Sequence, residues 1–443
     1  MIKLYFKLEL LLHYFRRYIW LVLLVATTSS VSLIYFDKIL SFAARILPTM
    51  PQIVGISGLY FKDRLPPLIT NQMSYGLTQI TENNKVVNSP LVASLEIRNN
   101  HKQYIFRLNP FSWHHRARLT AADIVGLYQI NNALLSTPAQ DTLIIDLEKE
   151  FSPLLSLLSQ PLLTSNLSGL GQSKLSEIIF RDSYVNSLTL TRLSDNSQTT
   201  YRFYPNQNDL ATAFKLGEIN QFTTNLFPES IAPWRHVDVT TTVDTGSYYT
   251  TLFINTEKFS KKQFRQSLAY ATPKPTDKNE RCLGPISPNY WAYNPQIKEY
   301  SYNPARAKEL ASPEDPKKVN ILVTSRDLLP QAEKIKASWK ENLSLDSEII
   351  IGDFSKTDYD TILSYGNFNQ DPDQYPFWHS TQAANNITKL NNSRIDKLLE
   401  EGRATIDEQE RKKIYFDFQR YLLEESPAIF INFPTVHTIT RVK

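Results

Sequence analysis

Apolar positions recur along the chain in two different periods. Residues 102–108 (KQYIFRL) are apolar at every second position, as are Leu143, Ile145 and Leu147, and both stretches predict strands. Thr120 suits a helix N-cap with Asp123 in the first turn, and Ile124, Leu127, Tyr128 and Leu134 follow at helical spacing. Asp209 to Lys215 predicts a short helix with Leu210 and Phe214 on one face and Gly217 just past its end. The run 248–255 (YYTTLFIN) predicts a strand. Ser260 with Gln263 then forms a capping-box pattern before a helix face of Phe264, Leu268 and Ala271. Asn303-Pro304 opens another helix, and 319–323 (VNILV) and 348–351 (EIII) predict strands with a helix between them. A further strand is predicted at 358–363 (DYDTIL). Asp407 with Glu410 caps a long helix carrying Ile414, Phe418, Tyr421 and Leu422 on its apolar side, and after Pro427 the stretch 428–433 (AIFINF) predicts a closing strand. Strands alternate with helices throughout, so the class is α/β or mixed, in two lobes rather than one core.

The most apolar segment lies near the start. Residues 18–36 are uncharged and mostly apolar, and at 1.5 Å per residue they reach about 28 Å, close to a bilayer core of roughly 30 Å. Arg16 and Arg17 precede them, and Tyr18, Trp20, Tyr35 and Phe36 flank the run as an aromatic belt. The basic flank predicts a cytoplasmic stretch over 1–17, a single membrane anchor over 18–40 and an extracytoplasmic remainder. A cleaved signal peptide is the rival reading. The run exceeds the usual apolar core of about 7–15 residues, and Phe42-Ala43-Ala44 is a poor cleavage site.

Charge narrows the choice of partner. The formal net charge is +4, and Lys3, Lys7, Arg16 and Arg17 stand against Glu9 alone in the first 17 residues. The rest of the chain is nearly neutral, which argues against nucleic acid. The single cysteine, Cys282, excludes an internal disulfide framework and a CxxC metal site. His114-His115 on a strand point to opposite faces, so no metal and no cofactor is expected. GxSxG, HExxH and Walker patterns are absent; Asp371 with Asp373, or Asp358 with Asp360, form conceivable glycosidase pairs, but sequence does not give the separation of their carboxylates and the Asp-Pro context favours a turn, so the chain is not read as an enzyme.

Seven stretches in order resemble the bacterial extracellular solute-binding proteins of family 5, the peptide- and nickel-binding subunits of ABC importers. They are LTAADIV at 119–125, KLGEIN at 215–220, FINTEKF at 253–259 with FRQSLAYA at 264–271, GPISPNYWAYN at 284–294, YNPARAKEL at 302–310, DYDTILSYGNFNQDPD at 358–373 and NSRIDKLLEEGRA at 392–404. The resemblance implies a two-lobed periplasmic-binding-protein-like α/β fold of type II, cluster C-like. It also implies an interlobe cleft that binds a peptide or other small solute, and permease and ATPase partners. Mapped here, lobe I is 51–252 with a return segment 429–443, lobe II is 253–428, and YYTTLFIN and AIFINF are the crossing strands. The molecule is read as a monomer. Two departures stand out: 272–283 replaces a longer helical region, and Gly169 and Gly171 alone hint at a ligand-adjacent GTGPY-like stretch.

Peptide-binding members carry an aspartate three residues before DPD, where it meets the ligand's amino terminus. Here that position is Phe368, ahead of Asp371-Pro372-Asp373. Asp371 or Asp360 is then the substitute, or Asp371 is a turn residue before proline. Arg265 is read either as an ion-pair partner for a carboxylate, on the ligand or across the lobes, or as a solvated surface arginine. Asn255 either bonds ligand or fixes the interlobe turn. Tyr248, Tyr249, Trp291 and Tyr365, with Tyr290, Phe368, Phe377 and Trp378, make aromatic cleft walls or ordinary core. The leading reading is therefore a membrane-tethered importer receptor. The rivals are an extracytoplasmic sensor or scaffold on the same fold and, third, an extracytoplasmic hydrolase.

Overall fold

The computed structural model describes residues 18, 20, 52–81, 84–115, 117–128, 130, 132–354 and 358–442. The expected anchor lies outside the described residues except at Tyr18 and Trp20, both exposed. Among the described residues no helix is long and apolar enough to cross a membrane. The chain divides between Gln52 and Ile53, and the second unit, Ile53–Lys443, carries the sheets.

In chain order the strands are β1 (Gln52–Ser57), β2 (Thr78–Ile80), β3 (Val86–Asn88), β4 (Val92–Arg98), β5 (Gln103–Leu108), β6 (Ala133–Ala139), β7 (Thr142–Leu147), β8 (Ser173–Arg181) and β9 (Tyr184–Arg192). They continue as β10 (Gln198–Tyr204), β11 (Gln221–Thr224), β12 (Val237–Val243), β13 (Tyr248–Ile254), β14 (Ile321–Val323), β15 (Ile349–Ile351), β16 (Thr361–Asn367), β17 (Ala428–Asn432) and β18 (Thr435–Arg441). Among the described residues they pair into a seven-stranded sheet ordered β12-β18-β11-β1-β10-β9-β8, a five-stranded sheet ordered β15-β14-β16-β13-β17, a four-stranded sheet β4-β5-β7-β6 and the pair β2-β3.

Burial separates two lobes. The five-stranded sheet and the helices packed on it share one core running from Tyr249 to Phe433, with Leu252, Trp339, Tyr415 and Phe418 fully buried. The remaining sheets have their own cores: Phe106 and Leu143 under the four-stranded sheet, Met73 and Leu188 beneath β8–β10, and Phe214 with Phe222 beneath the helix Gln207–Leu216. Each fully buried Leu or Phe side chain stabilises its lobe by about 1.5–3 kcal/mol relative to exposure.

The chain passes between the lobes twice, and the passages are shorter and differently placed than the sequence suggests. YYTTLFIN and AIFINF do not cross. β13 and β17 are antiparallel neighbours inside the second sheet, with Leu252 opposite Ile429 and Phe253 opposite Ala428. The crossings are the short links on either side of them, Asp244–Ser247 before β13 and Phe433-Pro434 after β17. Asp244 shapes the first link: its Oδ1 accepts from the N–H groups of Gly246 at 3.0 Å and Ser247 at 2.9 Å, an Asx turn. The Asp244 N–H then donates to the Pro434 carbonyl at 3.0 Å, so the two links are tied together. β17 is an edge strand, and Arg281 covers part of that edge by donating to the carbonyls of Phe430 at 2.6 Å and Ile431 at 2.9 Å.

Local signals elsewhere differ in how far they carry. The Asp123 carboxylate does accept from the Thr120 N–H at 2.8 Å, but the helix runs only from Ala121 to Val125. Leu134 lies on β6, exposed. The helix after Ser260 starts at Lys262, one residue later than the pattern suggests, so the N-cap is Lys261, whose side chain has no acceptor to cap with. Gly217 takes a left-handed φ of +79° after the helix Gln207–Leu216, a conformation that costs glycine little.

Candidate functional site

A cavity of about 720 Å³ opens between the lobes. From the first lobe it is lined by Ser57 at the end of β1, Leu226 after β11, and Asn206 and Asp209 at the start of a helix. From the second it is lined by Thr324 to Asp327, immediately after β14, and by Ile351 at the end of β15. β1 runs parallel to β11, and β14 runs parallel to β15 and β16, so both walls lie outside the carboxyl ends of parallel strands. That is where open α/β sheets place ligands. Asn206 caps its helix through Oδ1, which accepts from the N–H groups of Asn208 and Asp209 at 3.0 Å, while its Nδ2 donates to Asp209 at 2.8 Å.

A chain of hydrogen bonds crosses from one lobe to the other beside this cavity. The Tyr248 hydroxyl donates to Asn225 Oδ1 at 2.8 Å, Asn225 Nδ2 donates to the Tyr365 hydroxyl at 3.2 Å, and that hydroxyl donates to Asp327. The Tyr248 and Tyr365 rings meet edge to face at 5.3 Å. Burial, and next the Asp327 charge, push the Tyr365 phenol well above its ordinary value, so it stays a donor at neutral pH.

The lobes also touch along a second line. Ser152 bonds the carbonyls of Arg403 at 2.8 Å and Gly402 at 3.0 Å, Ser156 Oγ donates to Asp371 at 3.3 Å, and Ser159 Oγ donates to Gln370 at 3.0 Å. Behind this line the acids are neutralised internally. Asp371 accepts from both Nη atoms of Arg411, at 3.0 and 2.5 Å, and Asp373 is held by Arg403 Nε and Nη2 at 2.9 and 2.8 Å. Burial is the largest single influence on Arg411 and lowers its pKa, but the charges and hydrogen bonds of Asp371 and Tyr415 together outweigh it and leave the guanidinium above its ordinary value.

The residues singled out from sequence fall into four groups. Tyr248 and Tyr365 join the interlobe chain, and Asp371 and Trp291 meet around Arg411, whose guanidinium lies 5.7 Å from the Trp291 ring. Tyr249 and Phe368 are core: their rings pack at 4.7 Å, with Phe430 and Phe433 beside them. Asn255 and Arg265 work on backbone. Buried Asn255 donates to the Tyr359 carbonyl at 3.1 Å and accepts from the Glu257 N–H at 3.2 Å, which fixes the turn after β13. Arg265 is only 3% exposed and donates to the carbonyls of Phe259 at 2.8 Å and Glu425 at 2.9 Å. It also pairs with the Glu425 carboxylate at 3.2 Å within its own lobe, so it has an acidic partner in this chain and is not a solvated surface arginine.

Arg326, Asp327, Asn225 and Asn206 escaped the sequence reading. Polar loop residues carry no periodicity, and the available signal was position alone: TSRD follows directly on the apolar run VNILV. Gly169 and Gly171 line no part of this cavity. A side chain on Gly171 would stand 2.7 Å from the backbone of Met73, which shows that the segment packs closely on the helix Pro67–Met73.

Comparison with known proteins agrees with this geometry. The pattern of the Bacterial extracellular solute-binding proteins, family 5 Middle, matches residues 192–388. That segment belongs to family 5. Among curated relatives, the chain is 28% identical over 213 residues to heme-binding protein A of Haemophilus influenzae, covering 42% of this chain and 38% of that one. It is 22% identical over 275 residues to the oligopeptide-binding protein AppA of Bacillus subtilis, covering 54% and 51%. The chain thus spans about half or less of these curated relatives' lengths. Solved structures extend the match across the fold. AppA of B. subtilis in complex with a nonapeptide superposes with a TM-score of 0.72 at 18% identity, covering 88% of this chain and 94% of that one. NikZ of Campylobacter jejuni in complex with Ni(L-His) gives 0.75 at 18%, covering 89% and 94%. The fold is the two-lobed α/β fold of the periplasmic binding proteins. Within this family-5 segment, the position expected to meet a ligand amine is a core phenylalanine, Phe368, 8% exposed.

Proposed function

We propose that this chain is the solute-binding receptor of an ABC importer. It receives peptides or a related small solute in the crevice between its lobes and passes them unchanged to a permease driven by an ATPase. Residues 18–36 serve as an uncleaved anchor that keeps the receptor on the outer face of the membrane and raises its effective concentration at the permease. The observation that carries this reading is the cavity of about 720 Å³ lined from both lobes, which two tied crossings join. The volume suits a small solute. Hinges of this kind need only a few residues to absorb rotation. Solute stabilises the closed form to the extent that it binds that form better than the open one.

The test is thermal unfolding of the full chain in detergent with pooled peptides, sugars or nickel–histidine. Peptides are expected to raise Tm by mass action. A shift with sugars or the metal complex alone rejects the peptide ligand, and no shift with any pool rejects the receptor.

A further inference from the structure

The acids around the crevice differ in whether they are already matched. Asp371 and Asp373 each face a guanidinium of this chain in a two-point ion pair, so neither has charge left for a ligand. Among the described residues, three charged ones line the cavity: Arg326, Asp327 and Asp209. Asp209 is exposed and bonded by its own cap residue, Asn206, in water-accessible surroundings that weaken its pull on a ligand. Asp327 is half-buried. Its oxygens accept from two neutral hydroxyls, those of Ser325 and Tyr365, and among the described residues no cation lies within ion-pair distance of it. A carboxylate offers about four acceptor directions, so two hydroxyl donors leave it both charge and capacity.

We propose that Asp327 receives the ammonium group of the solute, in place of an aspartate at the Phe368 position and in place of Asp371. The inference rests on the crevice being the solute site. A desolvated ammonium–carboxylate contact is stronger than a neutral hydrogen bond, and here it forms at the end of the Tyr248–Asn225–Tyr365 chain that bridges the lobes. Arg326, adjacent and exposed, has no ion-pair partner among the described residues, which suits a solute that is cationic at one end and anionic at the other.

The experiment measures Kd by isothermal titration of the full chain in detergent with two pools of tripeptides, one with free amino termini and one N-acetylated. The wild type is expected to bind the free-amine pool roughly 10- to 100-fold more tightly. Asp327→Asn, which keeps the shape and the acceptor for Tyr365, is expected to lose that preference. Equal binding of both pools by the wild type overturns the assignment without recourse to any variant. A preference that survives Asp327→Asn also overturns it while leaving the receptor reading intact. If the wild type binds neither pool, the receptor reading for peptides and this assignment fall together.

Discussion

Replacing Arg411 by methionine removes the guanidinium that neutralises Asp371 while keeping much of the side-chain volume. The pair is well shielded, with side-chain exposures of 6% for Arg411 and 13% for Asp371. Breaking a buried pair by deleting one partner costs roughly 3–5 kcal/mol, because the remaining charge is left uncompensated. Two donors stay with Asp371, the Asp373 N–H at 2.9 Å and Ser156 Oγ at 3.3 Å, which puts the loss near the lower end. The Gly402 carbonyl loses its bond from Arg411 Nε at 2.8 Å, a further cost of about 1 kcal/mol. The expected total is about 3–4 kcal/mol, read from urea unfolding followed by tryptophan fluorescence, since Trp291 and Trp378 belong to the affected lobe. A cycle with Asp371→Asn should give a coupling of about 2 kcal/mol or more. A loss below about 1 kcal/mol, or additivity within about 0.5 kcal/mol, would refute the claim that this ion pair is a desolvated brace.

Other substitutions test other parts of the structure. Phe368→Asp places a carboxylate among Tyr249, Phe430 and Phe433. It should cost roughly 3–5 kcal/mol in urea unfolding and leave peptide affinity no better, whereas tighter binding of free-amine peptides would return that position to the cleft. Gly366→Ala drives a methyl into the Tyr249 ring and should destabilise by about 1–3 kcal/mol, with a near-neutral result showing that the ring can yield. Asp244→Ala removes both bonds of the turn that leads into β13. Hydrogen exchange should quicken at Gly246 and Ser247, and unchanged protection would count against that turn. Burial pushes the Cys282 thiol up to about 12. The unfolded thiol loses its proton near about 8.5 while the folded one keeps it, so folded protein binds more protons and stability falls as pH rises from about 9 towards 12. Cys282→Ala should flatten that fall, and identical pH slopes would show that the thiol is not shielded.

Continuous apolar runs were the most legible part of the chain. β13 and β17 read as strands because their apolar runs are continuous, but their pairing with each other, with β17 at the sheet edge, is a long-range fact that the runs do not carry. Where the lobes part was not legible, since the links are made by Asp244–Ser247 and Phe433-Pro434, residues with no period. Leu134 shows the limit of periodicity: one apolar residue fourteen positions past the Thr120 N-cap fits a helix by spacing alone, yet Gly126 ends the helix and the chain returns as β6. In the site, aromatic clustering brought Tyr248 and Tyr365 to notice. Clustering could not separate them from Tyr249 and Phe368, which differ from them only in facing the core. Arg265 was ambiguous because a long cation beside apolar sequence suits a surface, a ligand or a set of backbone carbonyls equally well. Asp327 needed the parallel arrangement of β14 with β15 and β16, a long-range fact that places its loop at the mouth of the crevice.

Hydrogen exchange of the full chain with and without a saturating peptide pool tests most directly whether solute enters between the lobes. Slowed exchange is expected at 206–209, 225–226 and 324–327, on both walls of the crevice, and at the two crossings. Protection confined to one lobe, or located away from these segments, would contradict capture between them.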